Sequence, residues 1–150
     1  NDWLGSGGIG GVPAYWAEGN MLFVVTAGSG TGGIAGGVIG LNVNANCTLS
    51  VAWSRAMGGG TQPNSTPTVA NGIVFAGEGL NGMIHAFDAR TGSPLWSSTS
   101  QYGAAATYAA PIVAQGHVYA GSWSNFSGGG IVGAFSLAAR RPYSPSPRSA

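Results

Sequence analysis

The stretch Ala86-Phe87-Asp88-Ala89-Arg90-Thr91-Gly92-Ser93-Pro94-Leu95-Trp96 decides how this chain folds. Asp88 closes an apolar run, and its short carboxylate is suited to bond the backbone of a turn that Thr91 reinforces. Gly92 supplies the positive φ that completes such a turn. Pro94 suits the opening of a new strand, and Trp96 brings a large ring with one N–H to satisfy. The segment reads as strand, tight turn, strand.

Working outward, Thr66-Pro67-Thr68-Val69-Ala70-Asn71-Gly72-Ile73-Val74-Phe75-Ala76-Gly77 returns as Ala110-Pro111-Ile112-Val113-Ala114-Gln115-Gly116-His117-Val118-Tyr119-Ala120-Gly121, and Pro67 and Pro111 lie 44 positions apart. Each copy predicts a hairpin, with the turn at Asn71-Gly72 or Gln115-Gly116. A looser copy runs from Val12 to Val24, with Pro13, Gly19 and Phe23 in the places of Pro67, Gly72 and Phe75. Pro13 precedes Pro67 by 54 positions, and the glycine-rich stretch 28–37 accommodates the longer spacing. Third strands are expected over 37–43, 83–88 and 131–137, and a fourth ends at Trp53 and at Trp96. Four strands in a unit of about 40 to 50 residues match one propeller blade.

Composition agrees with an all-β chain. Of 150 residues 44% are hydrophobic, 6% are charged and 28 are glycine, a balance that disfavours helices and allows a core. Before residue 140 the chain holds Arg55 and Arg90 against Asp2, Glu18, Glu78 and Asp88, while Arg140, Arg141 and Arg148 crowd the end. No basic surface is expected on the folded part, which argues against a nucleic-acid partner. Cys47 is the single cysteine, so no intrachain disulfide or cysteine-based metal cluster is available. Apolar runs such as Met21 to Val25 fall far short of the roughly 20 residues of a membrane-spanning helix. The chain opens with Asn1 and is read as a piece of something longer.

The segment 86–96 resembles the Ala-x-Asp-x-x-Thr-Gly-x-x-x-Trp motif of the pyrroloquinoline-quinone-like repeat, matching at Ala86, Asp88, Thr91, Gly92 and Trp96. The resemblance implies an all-β propeller of the quinoprotein alcohol dehydrogenase-like type, built from four-stranded blades. It also implies that a tryptophan docks between neighbouring blades onto a glycine, so the motif is structural and not catalytic. Members of the family include quinoprotein alcohol and glucose dehydrogenases and the outer-membrane assembly lipoprotein of bacteria. The expected organisation is an incomplete ring over 1–137, with blades at approximately 12–53, 66–96 and 110–137, followed by a disordered Arg/Pro/Ser-rich tail over 138–150. The first copy departs from the motif with Asn42 for Asp88 and a longer gap to Trp53. The third has Ser136 at that position, with no Thr-Gly or tryptophan after it.

Candidate ligand residues are few. Glu78 and Asn81 share the loop 77–82 and are oxygen ligands a calcium ion accepts, although a solvated turn explains them equally well. His85 and His117 have no metal-ligand partner at useful spacing and read as packed or rim residues. Trp16, Trp123, Tyr102 and Tyr108 offer stacking surfaces, for which core packing is the simpler account. The glycine runs open no helix and are not phosphate cradles.

The resulting expectation is a non-catalytic, extracytoplasmic propeller segment with no cofactor. Its blade loops would bind protein or glycan, and its remaining blades would come from the parent chain. The alternative is a fragment of a quinoprotein dehydrogenase oxidising alcohols or sugars with pyrroloquinoline quinone and calcium. That enzyme requires a catalytic aspartate and calcium ligands, and its alcohol-oxidising members also have a pair of adjacent cysteines that this chain lacks.

Overall fold

The computed structural model describes residues 9, 11–26, 36–57, 65–79, 82–98, 109–123 and 129–136, which form eleven strands and no helix. The first sheet runs β1 (Ala14–Trp16), β2 (Met21–Thr26), β3 (Gly37–Val43) and β4 (Leu49–Ala56). The second runs β5 (Thr68–Ala70), β6 (Ile73–Gly77), β7 (Ile84–Asp88) and β8 (Pro94–Ser97). In the third, β10 (His117–Trp123) lies between β9 (Ile112–Ala114) and β11 (Gly130–Ser136). All neighbours pair antiparallel, so each sheet is a meander, and β5 approaches both β1 and β9. The expected tail over 138–150 and the insertion site over 28–35 lie outside the described residues.

The hairpins form where the sequence places them. Ala70 faces Ile73 and Ala114 faces His117, leaving two-residue turns. Asn71 and Gly72 have φ of 51° and 71°, and Gln115 and Gly116 have 50° and 74°. Positive φ at both central residues is the turn whose twist matches a β-hairpin, which is why Gly follows Asn or Gln here.

The long outer strands share an irregularity that the sequence did not announce. Gly40 faces Trp53 but Leu41 faces Val51, leaving Ala52 unpaired; likewise Ala86 faces Trp96 but Phe87 faces Pro94, leaving Leu95 unpaired. In both blades a bulge sits one residue before the tryptophan and changes which side of the sheet that strand presents.

The core lies between the first two sheets. Met21, Phe23, Val25, Val38, Trp53 and Met57 pack against Val74, Ala76, Phe87 and Ala89. Trp53 is 7% exposed, and its ring centroid lies 5.8 Å from that of Phe23 and 6.5 Å from that of Phe87. Its Nε1–H donates to the Ala89 carbonyl at 2.9 Å, satisfying the one polar atom of the ring. Gly40 lies beneath the ring and Gly92 of the next blade covers it. A Cβ on Gly40 would stand 2.4 Å from Trp53 Cε2, and one on Gly92, where φ is +67°, would stand 2.5 Å from Cδ2. The Nε of Arg55 donates to the Gly92 carbonyl at 2.7 Å and fixes the same turn to the first sheet.

Trp96 holds the equivalent place on β8 but is only half-buried, with Phe135 edge-on at 5.4 Å. Trp53, and not the tryptophan of the better-matched motif, is therefore the more deeply buried of the two. Two features account for the difference. The ring faces Ala86, not a glycine, and the third copy has no Thr-Gly after Ser136 to receive it.

Truncating Trp53 to alanine is expected to destabilise the chain by about 3–5 kcal/mol in urea unfolding, and truncating Trp96 by clearly less. Equal losses would contradict this ranking. The Asp88 turn gives a second expectation. Bonds from the Thr91 backbone and hydroxyl hold the Asp88 carboxyl below its ordinary value of 3.8, with the Arg90 amide and charge adding to the effect. A carboxyl lowered on folding contributes its stability above the unfolded value and loses it as pH falls through the folded one. Urea midpoints for the native chain should decline more steeply below about pH 4 than those for Asp88→Asn; parallel curves would remove Asp88 from the acid response.

Candidate functional site

The loop after β6 carries the one acidic residue singled out as a possible ligand. Glu78 is 2% exposed, and its amide donates to the Met83 carbonyl at 2.7 Å, closing the loop. Its Oε2 lies 3.1 Å from His85 Nε2, and His85 Nδ1 lies 2.9 Å from Ser97 Oγ. One imidazole thus links the end of β6, the start of β7 and β8. The link follows from register: Ala76 faces His85, and Glu78, two residues further on, continues on the same side. His85 also faces Ser97 directly. Alternation along the predicted hairpin was the signal that could have paired Glu78 with His85 from sequence. Asn81 lies outside the described residues.

A Ser–His–Glu chain has the composition of a nucleophile, base and orienting acid, but acyl transfer also needs donors aimed at a developing oxyanion. The neighbouring Ser98 amide is bonded to the Ile84 carbonyl at 2.8 Å, and the Ser98 hydroxyl receives the Ile84 amide at 2.9 Å. These groups bond to one another and close the end of the sheet. The Glu78–His85–Ser97 chain is a polar clasp across three strands.

The motif residues occupy the turn between β7 and β8. Asp88 Oδ1 accepts from the Arg90 amide at 3.0 Å, the Thr91 amide at 2.8 Å and the Thr91 hydroxyl at 2.9 Å. Gly92 covers Trp53 of the first blade, and Ala86 faces Trp96. Arg90 places its guanidinium 5.1 Å from the Trp16 ring centre. His117 Nδ1 donates to the Gln115 carbonyl at 2.9 Å, and its ring lies beside Tyr119. Tyr102 and Tyr108 fall outside the described residues.

Among the described residues no three His, Cys, Asp or Glu side chains converge as metal ligands. Glu78 is held by His85 and Asp88 by its own turn, while Trp16 and Trp53 are packed between sheets. These side chains do not assemble the oxygen donors and open aromatic face that a quinone with calcium requires. No helix of the described residues is long and apolar enough to cross a membrane.

The second and third sheets leave a cavity of about 230 Å³ between them. Phe75, Leu95 and Trp96 line one side, and Val113, Val118 and Phe135 the other. It lies at the same level of the stack at which Trp16 and Trp53 fill the first interface.

The family model described as outer membrane protein assembly factor BamB matches residues 35–141. No curated protein matches the chain. Among solved structures, a quinohemoprotein alcohol dehydrogenase from Pseudomonas putida HK5 superimposes with a TM-score of 0.63 at 20% identity, covering 89% of this chain and 20% of the dehydrogenase. The chain therefore spans about a fifth of that enzyme's length, and the likeness is one of fold. Taken with the blade geometry and the motif at 86–96, the match over 35–141 shows that the chain belongs to the pyrroloquinoline-quinone-like repeat family described as outer membrane protein assembly factor BamB.

Proposed function

We propose that this chain is a non-catalytic propeller segment, part of an extracytoplasmic scaffold whose blade loops bind protein or glycan partners. The observation that carries this reading is the use made of the motif residues. Asp88 and Thr91 are engaged in their own turn, Gly92 in the contact with Trp53, and Glu78, the one buried acid among the described residues, in a clasp with His85. The side chains that quinone chemistry would recruit are thus engaged in shaping the second blade and its contact with the first. The family description, an assembly factor, supports a partner that is protein.

The end sheets support the need for further blades. Tyr15, Leu49 and Val51 are exposed on the first sheet, and Ile112, Ile131 and Val132 on the third. Apolar side chains in such numbers on terminal repeats call for neighbours that cover them.

Expressed alone, the chain should self-associate, with an apparent mass by light scattering that rises with concentration. A monomer at all concentrations would mean that its end faces need no covering blades. The parent protein titrated with pyrroloquinoline quinone and calcium, followed by tryptophan fluorescence and dye-linked alcohol or sugar oxidation, should show neither saturable binding nor turnover. Saturable binding with turnover would replace the scaffold reading by that of a dehydrogenase fragment.

A further inference from the structure

We propose that the cavity between the second and third sheets is a binding site for a small neutral bicyclic aromatic of the indole class. The chain itself supplies the template. Trp16 ends β1 opposite Met21, and Ala70 ends β5 opposite Ile73, so the two residues hold the same place in successive blades. In the first interface the Trp16 ring reaches across to the next blade's hairpin, lying 3.6 Å from where a Cβ on Gly72 would be. In the second interface Gly116 holds the place of Gly72, and none of the described residues lies within 4 Å of the corresponding point. Ala70 and Gly116 both line the cavity. The second interface has the receiving hairpin and lacks the indole that fills the first.

Size and lining agree with that occupant. A dry cavity of roughly 150 Å³ accepts benzene, and drug-sized ligands use roughly 300 Å³ or more. The volume here, about 230 Å³, lies between them and suits one fused bicyclic ring. Its walls are mostly apolar, with Ile73, Phe75, Leu95, Val113 and the Trp96–Phe135 pair, and Asn71, His117 and Ser136 are the polar residues among them. A charged ligand would find no acid or arginine there to pair with, whereas a largely apolar ring with a single N–H needs only one polar partner. Leu95 is 53% exposed and marks an open side, where the single N–H of an indole keeps its water.

Binding should be weak, because a ligand of this size makes few contacts. Isothermal titration of the full chain with indole should give one site with a Kd of about 0.1–1 mM. Ala70→Trp, which restores the side chain of the first interface, should weaken indole binding at least tenfold and raise Tm by a few degrees. Ala70→Leu, a smaller filling that folds more readily, should weaken binding by a lesser factor. Lack of saturable binding to the native chain would overturn the proposal, as would native affinity for indole in either folded variant. The titration is separate from that of the parent with pyrroloquinoline quinone, so either binding can fail without the other.

Discussion

The Trp53 indole, held between Gly40 of its own blade and Gly92 of the next, is the contact on which the arrangement of the first two sheets depends. A flat ring of this size buries a large apolar area, but only where backbone approaches it without side chains on both faces. Glycine meets that condition at both positions. The hydrogen bond to the Ala89 carbonyl then removes the penalty of burying the ring's N–H. Because Ala89 and Gly92 belong to the turn organised by Asp88 and Thr91, a polar turn at the surface positions an apolar contact in the core.

The same design is carried less completely into the second interface. Trp96 stands in the place of Trp53, Phe135 approaches it edge-on, and Ala70 replaces Trp16. The Thr68 hydroxyl bonds the Pro111 carbonyl, so the inner strands remain joined while the middle of the interface is open. Repeat proteins sum local interfaces, and a change of residue at one blade therefore alters one junction and leaves the others intact. The buried Glu78–His85 pair belongs to the same logic, fastening the loop between β6 and β7 to the outer strand.

Much of this was legible in the residues. The 44-residue repeat, the two-residue turns at Asn71-Gly72 and Gln115-Gly116 and the all-β class followed from local preferences, because turn chemistry and strand alternation act over a few neighbouring positions. The role of Asp88 was legible for the same reason: its partners lie two and three residues away. The Glu78–His85–Ser97 clasp was within reach of a register argument but was hidden by the loop between the first two residues.

The depth of each tryptophan was not legible. Trp53 and Trp96 look alike along the chain, and the better motif surrounds Trp96, yet Trp53 is the buried one. Burial depends on what the adjacent blade brings, and those residues lie far along the chain, as with Trp53 and Ala89, 36 positions apart. The bulges at Ala52 and Leu95 and the cavity beside Ala70 are likewise properties of two strands or two sheets taken together. The sequence by itself determined the strands, their turns and their repetition, because these are short-range. Only the tertiary structure decided which interface is filled and which is open, because packing compares side chains that the chain keeps far apart.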